Sequence, residues 1–433
     1  MGKNARRVRE RVGKLLRLFP GAVFDFSQRV KFLETLNRVA WPVATVIARE
    51  YRTATMKRQT VFAVVGSLGK TTTARATMAV LKGTAPSWLH ESDNCFSLVG
   101  INLMRQGPLA RFAVVEVGID FQSQMARYAA LLRPEAVIVT TIGTDHLRRL
   151  GGTEGVWKEK ARMVQALAPE GTAILNGDDP AVMRMAQVTR ARIVTFGFAS
   201  TCTVFASDLA ISPSGSEFNL HVAGRSLAVR SRLIGREAVR AQVAAAAAGH
   251  AVGLDLETMV KRLERLTPTP GRMQPVTLSN GVVALCDDFK ASFETVQAAL
   301  EVLGQIRDRR RVVVLGSLYR PPAPRVAKYE AVGIHLAQVA DRVIVVGRRS
   351  RLYQRGWGGR LPEQAVTLVE TVEEAVTLLR RELRPTDVVL IKGRGEQKLA
   401  RIALALSGLE VGCRRTFCSF ENILCQACPH VTS

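Results

Sequence analysis

The run from Val61 to Thr73, VFAVVGSLGKTTT, sets two glycines, a lysine and three threonines behind an apolar segment. That order suits phosphate chemistry. Gly66 and Gly69 let the backbone turn tightly, with Ser67 between them, so that N–H groups face an anion while the start of the following helix adds partial positive charge. Lys70 can reach β- and γ-phosphate oxygens, and the hydroxyl of Thr71 or Thr72 can ligate Mg²⁺. The glycines stand closer together than in the usual GxxxxGK[ST] loop, which makes this a shortened variant.

Glu116 closes a wholly apolar run at 112–116. A carboxylate there is costly unless it is paired or bound to a metal, and ligands of open α/β sheets gather at the carboxyl ends of the strands. His146 follows the next apolar run. Farther on, Lys160 shares a helical stripe with Trp157, Met163, Val164 and Leu167, whereas Lys158 aligns with Arg162 and Gln165. Lys160 is therefore expected to point inward. A buried lysine has a lowered pKa and a reactive neutral amine; a snorkelling side chain is the plainer alternative. Four of the seven cysteines, Cys413, Cys418, Cys425 and Cys428, fall in the last 21 residues. Structural Zn²⁺, reactive thiols and no joint role all stay open for them, because CxxC fits one edge of a zinc knuckle but the preceding loop is short.

These residues need elements to hold them. Apolar runs alternate with helical stretches from Val61 to about Arg272 and again beyond Pro275, which predicts two α/β domains with parallel sheets. The expected fold is α/β: a central P-loop-type parallel-sheet ATPase domain over 59–274, a Rossmann-like α/β domain over 275–408, a basic helical extension over 1–58 and a Cys-rich tail over 409–433. Residues 201–233 read as an antiparallel edge, and the AAAAA run at 244–248 as a tightly packed helix.

The chain has 433 residues, with 61 Lys+Arg against 37 Asp+Glu, a net charge of +24. With 47% apolar residues it builds real cores, which excludes a disordered polycation. The longest apolar candidate for a membrane span, Val39 to Ala48, is interrupted by Pro42 and falls short of the ~20 residues needed. No secretory h-region appears, so a cytoplasmic setting is expected. Residues 3–19 form a basic amphipathic pattern that suits either peripheral contact with an anionic membrane surface or simple packing on the body.

GSLGKTT resembles the GTNGKTT loop of the Mur ligase family, ATP-dependent amide-bond-forming enzymes of peptidoglycan precursor synthesis. Further similar segments follow in family order: VVEVG at 114–118, TDHLRRLGGTEGVWKEKARMV at 144–164, LNGDDP at 175–180, PGR at 270–272, DDFKAS at 287–292, VVVLGS at 312–317 and VVLIKGRG at 388–395. LNGDDP and VLIKGRG resemble most the branch that adds D-alanyl-D-alanine to the muramoyl tripeptide. The resemblance implies that Glu116 and His146 ligate a second Mg²⁺ beside a carbamylated Lys160. It implies nucleotide contacts from Asn176, Arg272, Asp288 (with Asp287 as its rival) and Lys290, and makes Lys392 and Arg394 candidates for gripping the amine substrate's carboxylate. Leu68 departs from the family's polar residue, and Glu237-Ala238 from its His-Asn. The basic residues ahead of the loop do not read as the α/β domain that holds a uridine diphosphate in the muramoyl enzymes.

The activity expected is a carboxylate-amine ligase working through an acyl phosphate, with ATP and Mg²⁺, Lys70 and Arg272 carrying charge on the transferred group. Its partners would be an acidic small-molecule or carrier-linked carboxylate and an amine or amino acid. The rival class is a basic ATPase of nucleic acid or membrane surfaces, or a non-catalytic scaffold; no aromatic platform or nucleic-acid motif supports nucleic acid.

Overall fold

The computed structural model describes residues 35, 45–91, 96–106, 109–119, 121–143, 150–420 and 423–432. The basic pattern at 3–19, Cys95 and His146 lie outside the described residues. The chain forms two compact units, one of residues up to Thr195 with Ala247–Ala251, the other of Phe196–Ala246 with Val252–Ser433.

The first unit holds β1 (Thr60–Val65), β2 (Ser87–His90), β3 (Phe112–Glu116), β4 (Ala136–Val139) and β5 (Thr172–Asn176), in the order β2-β3-β1-β4-β5. The pairs β2/β3, β1/β3, β1/β4 and β4/β5 are parallel. Residues 61–65, 112–116, 136–139 and 172–176 are buried throughout, as continuous apolar runs must be when helices cover both faces of a sheet. Those helices are α1 (45–55), α2 (Lys70–Leu81), α3 (Phe96–Gln106), α4 (Gln124–Leu132) and α5 (Gly152–Gln165), with the short α6 at Pro180–Met183. The strand order reverses beside β1, so the loop leaving β1 opens at the switch point where α/β sheets bind ligands.

After β6 (Arg192–Gly197) come the antiparallel strands β7 (Val204–Ser212), β8 (Gly215–Val222) and β9 (Arg225–Ser231), as the alternation at 201–233 predicts. Helix α7 (Arg236–Ala251) follows, with Ala244 to Ala248 all fully buried. Next stand α8 (Leu256–Leu263), β10 (Gln274–Thr277), β11 (Val283–Asp287), α9 (Phe293–Gln305), β12 (Arg310–Leu315), α10 (Arg325–Val339), β13 (Arg342–Val346), β14 (Val366–Val369), α11 (Val372–Glu382), β15 (Asp387–Lys392) and α12 (Ala400–Leu406). The six later strands form one sheet, β10-β11-β15-β12-β13-β14, parallel except for the edge pair β10/β11. Side chains of β12 alternate between its faces: Val313 and Leu315 join α9 and α10, while Val312 and Val314 join α11 and α12. Each such fully buried aliphatic side chain stabilises the unit by ~1.5–3 kcal/mol.

Candidate functional site

In the first unit the loop 66–69 is bolted to the segment that leaves β4. Ser67 N donates to Thr141 O at 2.8 Å, Leu68 N to Thr141 Oγ1 at 3.2 Å, and Thr140 Oγ1 to Leu68 O at 2.6 Å. Gly66 has φ +148°, and a Cβ there would sit 1.9 Å from Thr140 Oγ1, so only glycine fits the junction. Gly69 differs: its φ is +78° at the N-cap of α2, and the space a Cβ would fill is open. A left-handed glycine beside free space and a helix N-terminus is the cradle a phosphate needs. Lys70 starts α2 with its Nζ 3.4 Å from Ser67 O; Thr71 is buried and Thr72 half-buried behind it.

Glu116 lies at the end of β3, in register with Val64 of β1, and is only 3% exposed. Its carboxylate thus stands one strand over from the loop. Oxygen donors of this kind, with the Thr71 hydroxyl, fit a hard cation such as Mg²⁺.

Lys160 is also 3% exposed, whereas Lys158 is exposed on the opposite face of α5. The Lys160 amine donates to Ser67 Oγ at 2.9 Å, and the same oxygen accepts from Gly143 N at 2.8 Å. Neighbouring Glu159 is buried, accepts from Met125 N at 2.9 Å and pairs with Arg162 at 3.2 Å, which pins the start of α4 to α5.

Asn176 ends β5 with its amide engaged by the protein: Nδ2 donates to Thr140 O at 2.7 Å and Oδ1 accepts from Asp178 N at 3.1 Å. It holds the loop after β4. Asp179 does the same from the other side, accepting from Ile142 N at 2.9 Å while capping α6 through Ala181 N and Val182 N. Thr140, Thr141, Gly143 and Asp179 are positioning residues that sequence reading missed. Only the DDP step, an Asx cap ahead of a proline at the first helical position, could have flagged one of them. Of the departures, Leu68 is half-buried in the loop and Glu237 is exposed, bonded to Arg240.

The second unit carries the remaining candidates. Arg272 N donates to Thr269 O at 3.1 Å, and its guanidinium lies 4.6 Å from the Phe289 ring centroid, a cation–π contact. Lys290 is half-buried. Asp287 and Asp288 have different neighbours. Asp287 accepts from Met273 N at 3.2 Å and from Lys392 Nζ at 2.6 Å. Lys392 is 1% exposed and also donates to Lys290 O at 2.7 Å, so the lysine expected to grip a substrate carboxylate is enclosed by the protein's own oxygens. Burial lowers its pKa, against the pull of Asp287.

Asp288 Oδ2 accepts from Ala400 N at 2.8 Å, whereas its buried Oδ1 has no hydrogen-bond partner. Burial pushes this carboxyl above the usual range. It lines a cavity of about 300 Å³ with Gln274, Phe289, Lys398, Ser407 and Leu424, whose walls leave a donor-bearing guest as the natural complement to Oδ1. Arg394 lies 3.6 Å from Glu396 and 5.8 Å from the Phe417 ring centroid.

Cys413, Cys418, Cys425 and Cys428 are all free thiols, and all four line one small cavity of about 20 Å³. Burial pushes the Cys425 thiol up to about 11. Among the described residues no three Cys, His, Asp or Glu side chains are placed so as to hold a metal ion, the four tail cysteines included.

The Mur ligase middle domain family matches residues 64–249, and the Mur ligase glutamate ligase domain family matches 271–395. The UDP-N-acetylmuramoyl-tripeptide–D-alanyl-D-alanine ligase of Mycobacterium tuberculosis is 28% identical over 376 residues, 80% of this chain and 72% of its own. The Escherichia coli protein of the same name is 31% identical over 297 residues, 67% of this chain and 65% of its own. Among solved structures, MurF from Acinetobacter baumannii has a TM-score of 0.75 at 23% identity, covering 84% of this chain and 80% of that one. MurF from Thermotoga maritima in complex with ADP has a TM-score of 0.73 at 18% identity, covering 85% and 83%. Those two likenesses speak for the fold, and the two domain matches in order speak for descent. The chain belongs to the Mur ligase family, the ATP-dependent ligases that form amide bonds.

Proposed function

We propose that the chain joins a peptide-bearing carboxylate to an amine dipeptide, as the names of its relatives suggest: a UDP-linked muramoyl tripeptide and D-alanyl-D-alanine. A carboxylate oxygen attacks the γ-phosphorus of ATP, ADP leaves, and the amine nitrogen then attacks the acyl carbon, releasing phosphate and a proton. The observation that carries this reading is the loop 66–69 at the switch point, with Gly69 open to an anion and its seat tied to Lys160.

In the first unit, Gly69 with Lys70 and Thr72 holds the phosphates, Gly66 and Ser67 fix the loop through their contacts with the β4 exit, and Asn176 keeps the adjoining loop in place. Thr71, Glu116, His146 and a carbamylated Lys160 hold Mg²⁺, which when bound neutralises charge on the transferring phosphoryl group. In the second unit we assign nucleotide contacts to Arg272, Lys290 and the unpartnered oxygen of Asp288. Permanent charge and a planar fork suit Arg272 to phosphate. The domain limits that go with this reading are 1–58, 59–274, 275–408 and 409–433. The surplus of positive charge suits peripheral contact with an anionic membrane surface, testable by salt-sensitive sedimentation with anionic vesicles.

The ligase reading is tested by ADP release that requires both an acid and an amine, with the amide product identified by mass spectrometry. Full turnover in a Lys70→Ala variant would sink it.

A further inference from the structure

The cavity of about 300 Å³ beside Asp288 is lined in part by the tail. Ala403 and Leu404 of α12 contribute to it, and so do Leu409, Leu424, Cys425 and Gln426 beyond that helix. The rest of the second unit fastens these residues. Cys418 N donates to Glu396 O at 2.8 Å, Leu409 N to Leu404 O at 3.1 Å, and Arg401, 2% exposed, donates to the carbonyls of Cys413 and Arg415. Lys398 lines the cavity and also holds the tail, because its Nζ donates to Ile423 O at 2.8 Å, one residue before Leu424. Leu424, Cys425 and Gln426 are thus kept at the cavity by a residue of its own lining.

The lining asks for a guest with donors. Asp288 Oδ1 and Ser407 Oγ are buried without a hydrogen-bond partner, and Asp288 as a whole is 6% exposed. An unpaired buried acceptor is costly, and a guest that brings a hydroxyl or N–H removes the cost. The backbone keeps the carboxyl open: Gly271 has φ +68°, and a Cβ there would lie 3.5 Å from Asp288 Oδ1 and 3.3 Å from Phe289 Cβ. A longer side chain at that position would crowd the oxygen. Around the polar atoms the walls are largely aliphatic, and the volume stands at the lower end of small-molecule sites. A nucleoside offers what this lining lacks, hydroxyls for Asp288 and Ser407 and a flat ring for the aliphatic walls, whereas a bare phosphate offers neither.

We propose that the tail is part of the nucleotide site: Leu424 and Gln426 wall the cavity in which the nucleoside of the ATP substrate sits, with its hydroxyls on Asp288 and Ser407. This rests on the ligase reading and on the nucleotide contact assigned to Asp288, and adds the tail to them. Lys398 and Arg401 set the wall before the nucleotide arrives, so binding does not have to bear the full cost of ordering the tail. The aliphatic surface of Leu424 is covered by the guest, which makes nucleoside binding and docking of the tail support each other. Cys425 lines this cavity as well as the small one of four thiols, and its thiol therefore reports whether the larger one is filled.

The test alkylates the full reduced chain at mildly alkaline pH and follows Cys425 by peptide mass spectrometry, with Cys202, which lines neither cavity, as the control. Saturating ADP should slow modification of Cys425 at least fivefold, adenosine should do the same at higher concentration, and tripolyphosphate should leave the rate unchanged; Cys202 should react alike throughout. In calorimetric titrations Leu424→Ala should weaken ADP at least threefold without altering the affinity for tripolyphosphate, and Leu424→Met, which keeps the volume, should restore ADP. Protection of Cys425 by tripolyphosphate alone, ADP that binds yet leaves Cys425 unprotected, or full ADP affinity in Leu424→Ala would each overturn the part given to the tail and leave the ligase reading standing. A wild-type chain that binds no ADP at all would end both.

Discussion

Lys160 Nζ donates to Ser67 Oγ across 2.9 Å, and that hydroxyl also receives Gly143 N, so one serine oxygen joins the phosphate loop, the exit of β4 and the inward lysine of α5. The link is short in space and 93 residues long in sequence. Ser67→Ala removes an acceptor shared by the buried Lys160 amine and the half-buried Gly143 N–H, which costs about 1–3 kcal/mol. We expect a lower melting temperature and at least a tenfold loss of ATP turnover, with Ser67→Thr recovering both. An alanine variant that melts and turns over like the wild type would contradict the link.

Gly66 and Gly69 should fail differently. A Cβ at Gly66 collides with Thr140 Oγ1, so Gly66→Ala should displace the β4 exit and destabilise the first unit by about 2 kcal/mol or more. At Gly69 a Cβ meets nothing, and Gly69→Ala bears only the strain of a left-handed φ, about 1–2 kcal/mol. Its larger effect should be on ATP affinity, because the methyl group enters the space left for an anion. Calorimetric titration beside thermal melts separates the two; equal stability losses with equal affinity losses would refute the distinction.

Lys160 offers a test of function against structure. An amine buried to 3% exposure is costly, and replacing it with an apolar chain of similar length removes that cost. Lys160→Met should therefore match or exceed the wild type in melting temperature while losing ligase activity. Carbamylation further predicts that bicarbonate raises wild-type activity and that native mass spectrometry finds a labile gain of one CO₂. A strongly destabilised Lys160→Met would instead mark the lysine as a structural strut.

Arg342 and Glu382 set an acid limit on the second unit. Arg342 Nε and Nη2 donate to the Glu382 carboxylate at 2.7 and 3.0 Å, and these bonds hold its pKa below the ordinary glutamate range. A depressed carboxylate pKa stabilises the fold fully above the unfolded value, about 4.3, and that contribution fades as pH falls through the lower folded value. Glu382→Gln should melt lower than the wild type at neutral pH, and the gap should close as the solution is acidified. Thermal melts across pH check this, and a gap that widens in acid would have the wrong sign.

Much of this site was legible because buried parallel strands leave unbroken apolar runs, and because GSLGKTT and the stripe of Lys160 are local patterns. The choice of Lys160 over Lys158 needed nothing beyond helical geometry. What stayed hidden depends on distant partners. Thr140 and Asp179 look like ordinary loop residues until the loops they hold are placed beside them. Lys392 read as a substrate contact, since nothing near it in sequence announces Asp287, 105 residues away. Strand β2 has only four residues, with burial alternating along it, too little for a periodic signal to stand out.

The same lysine has a second consequence. Along β15 the four residues between Asp387 and Lys392 are all apolar and fully buried, so an apolar pattern alone does not tell one alignment of this strand from its neighbour one step along. The ends do. Asp387 meets Arg310 of β12 at 3.1 and 3.0 Å, and Lys392 meets Asp287 of β11 at 2.6 Å. A slip by one residue would strand both buried charges at once, on opposite sides and at opposite ends. The central strand of the second sheet is thus keyed like a two-pin plug, and the lysine that resembles a substrate hand is one of the pins.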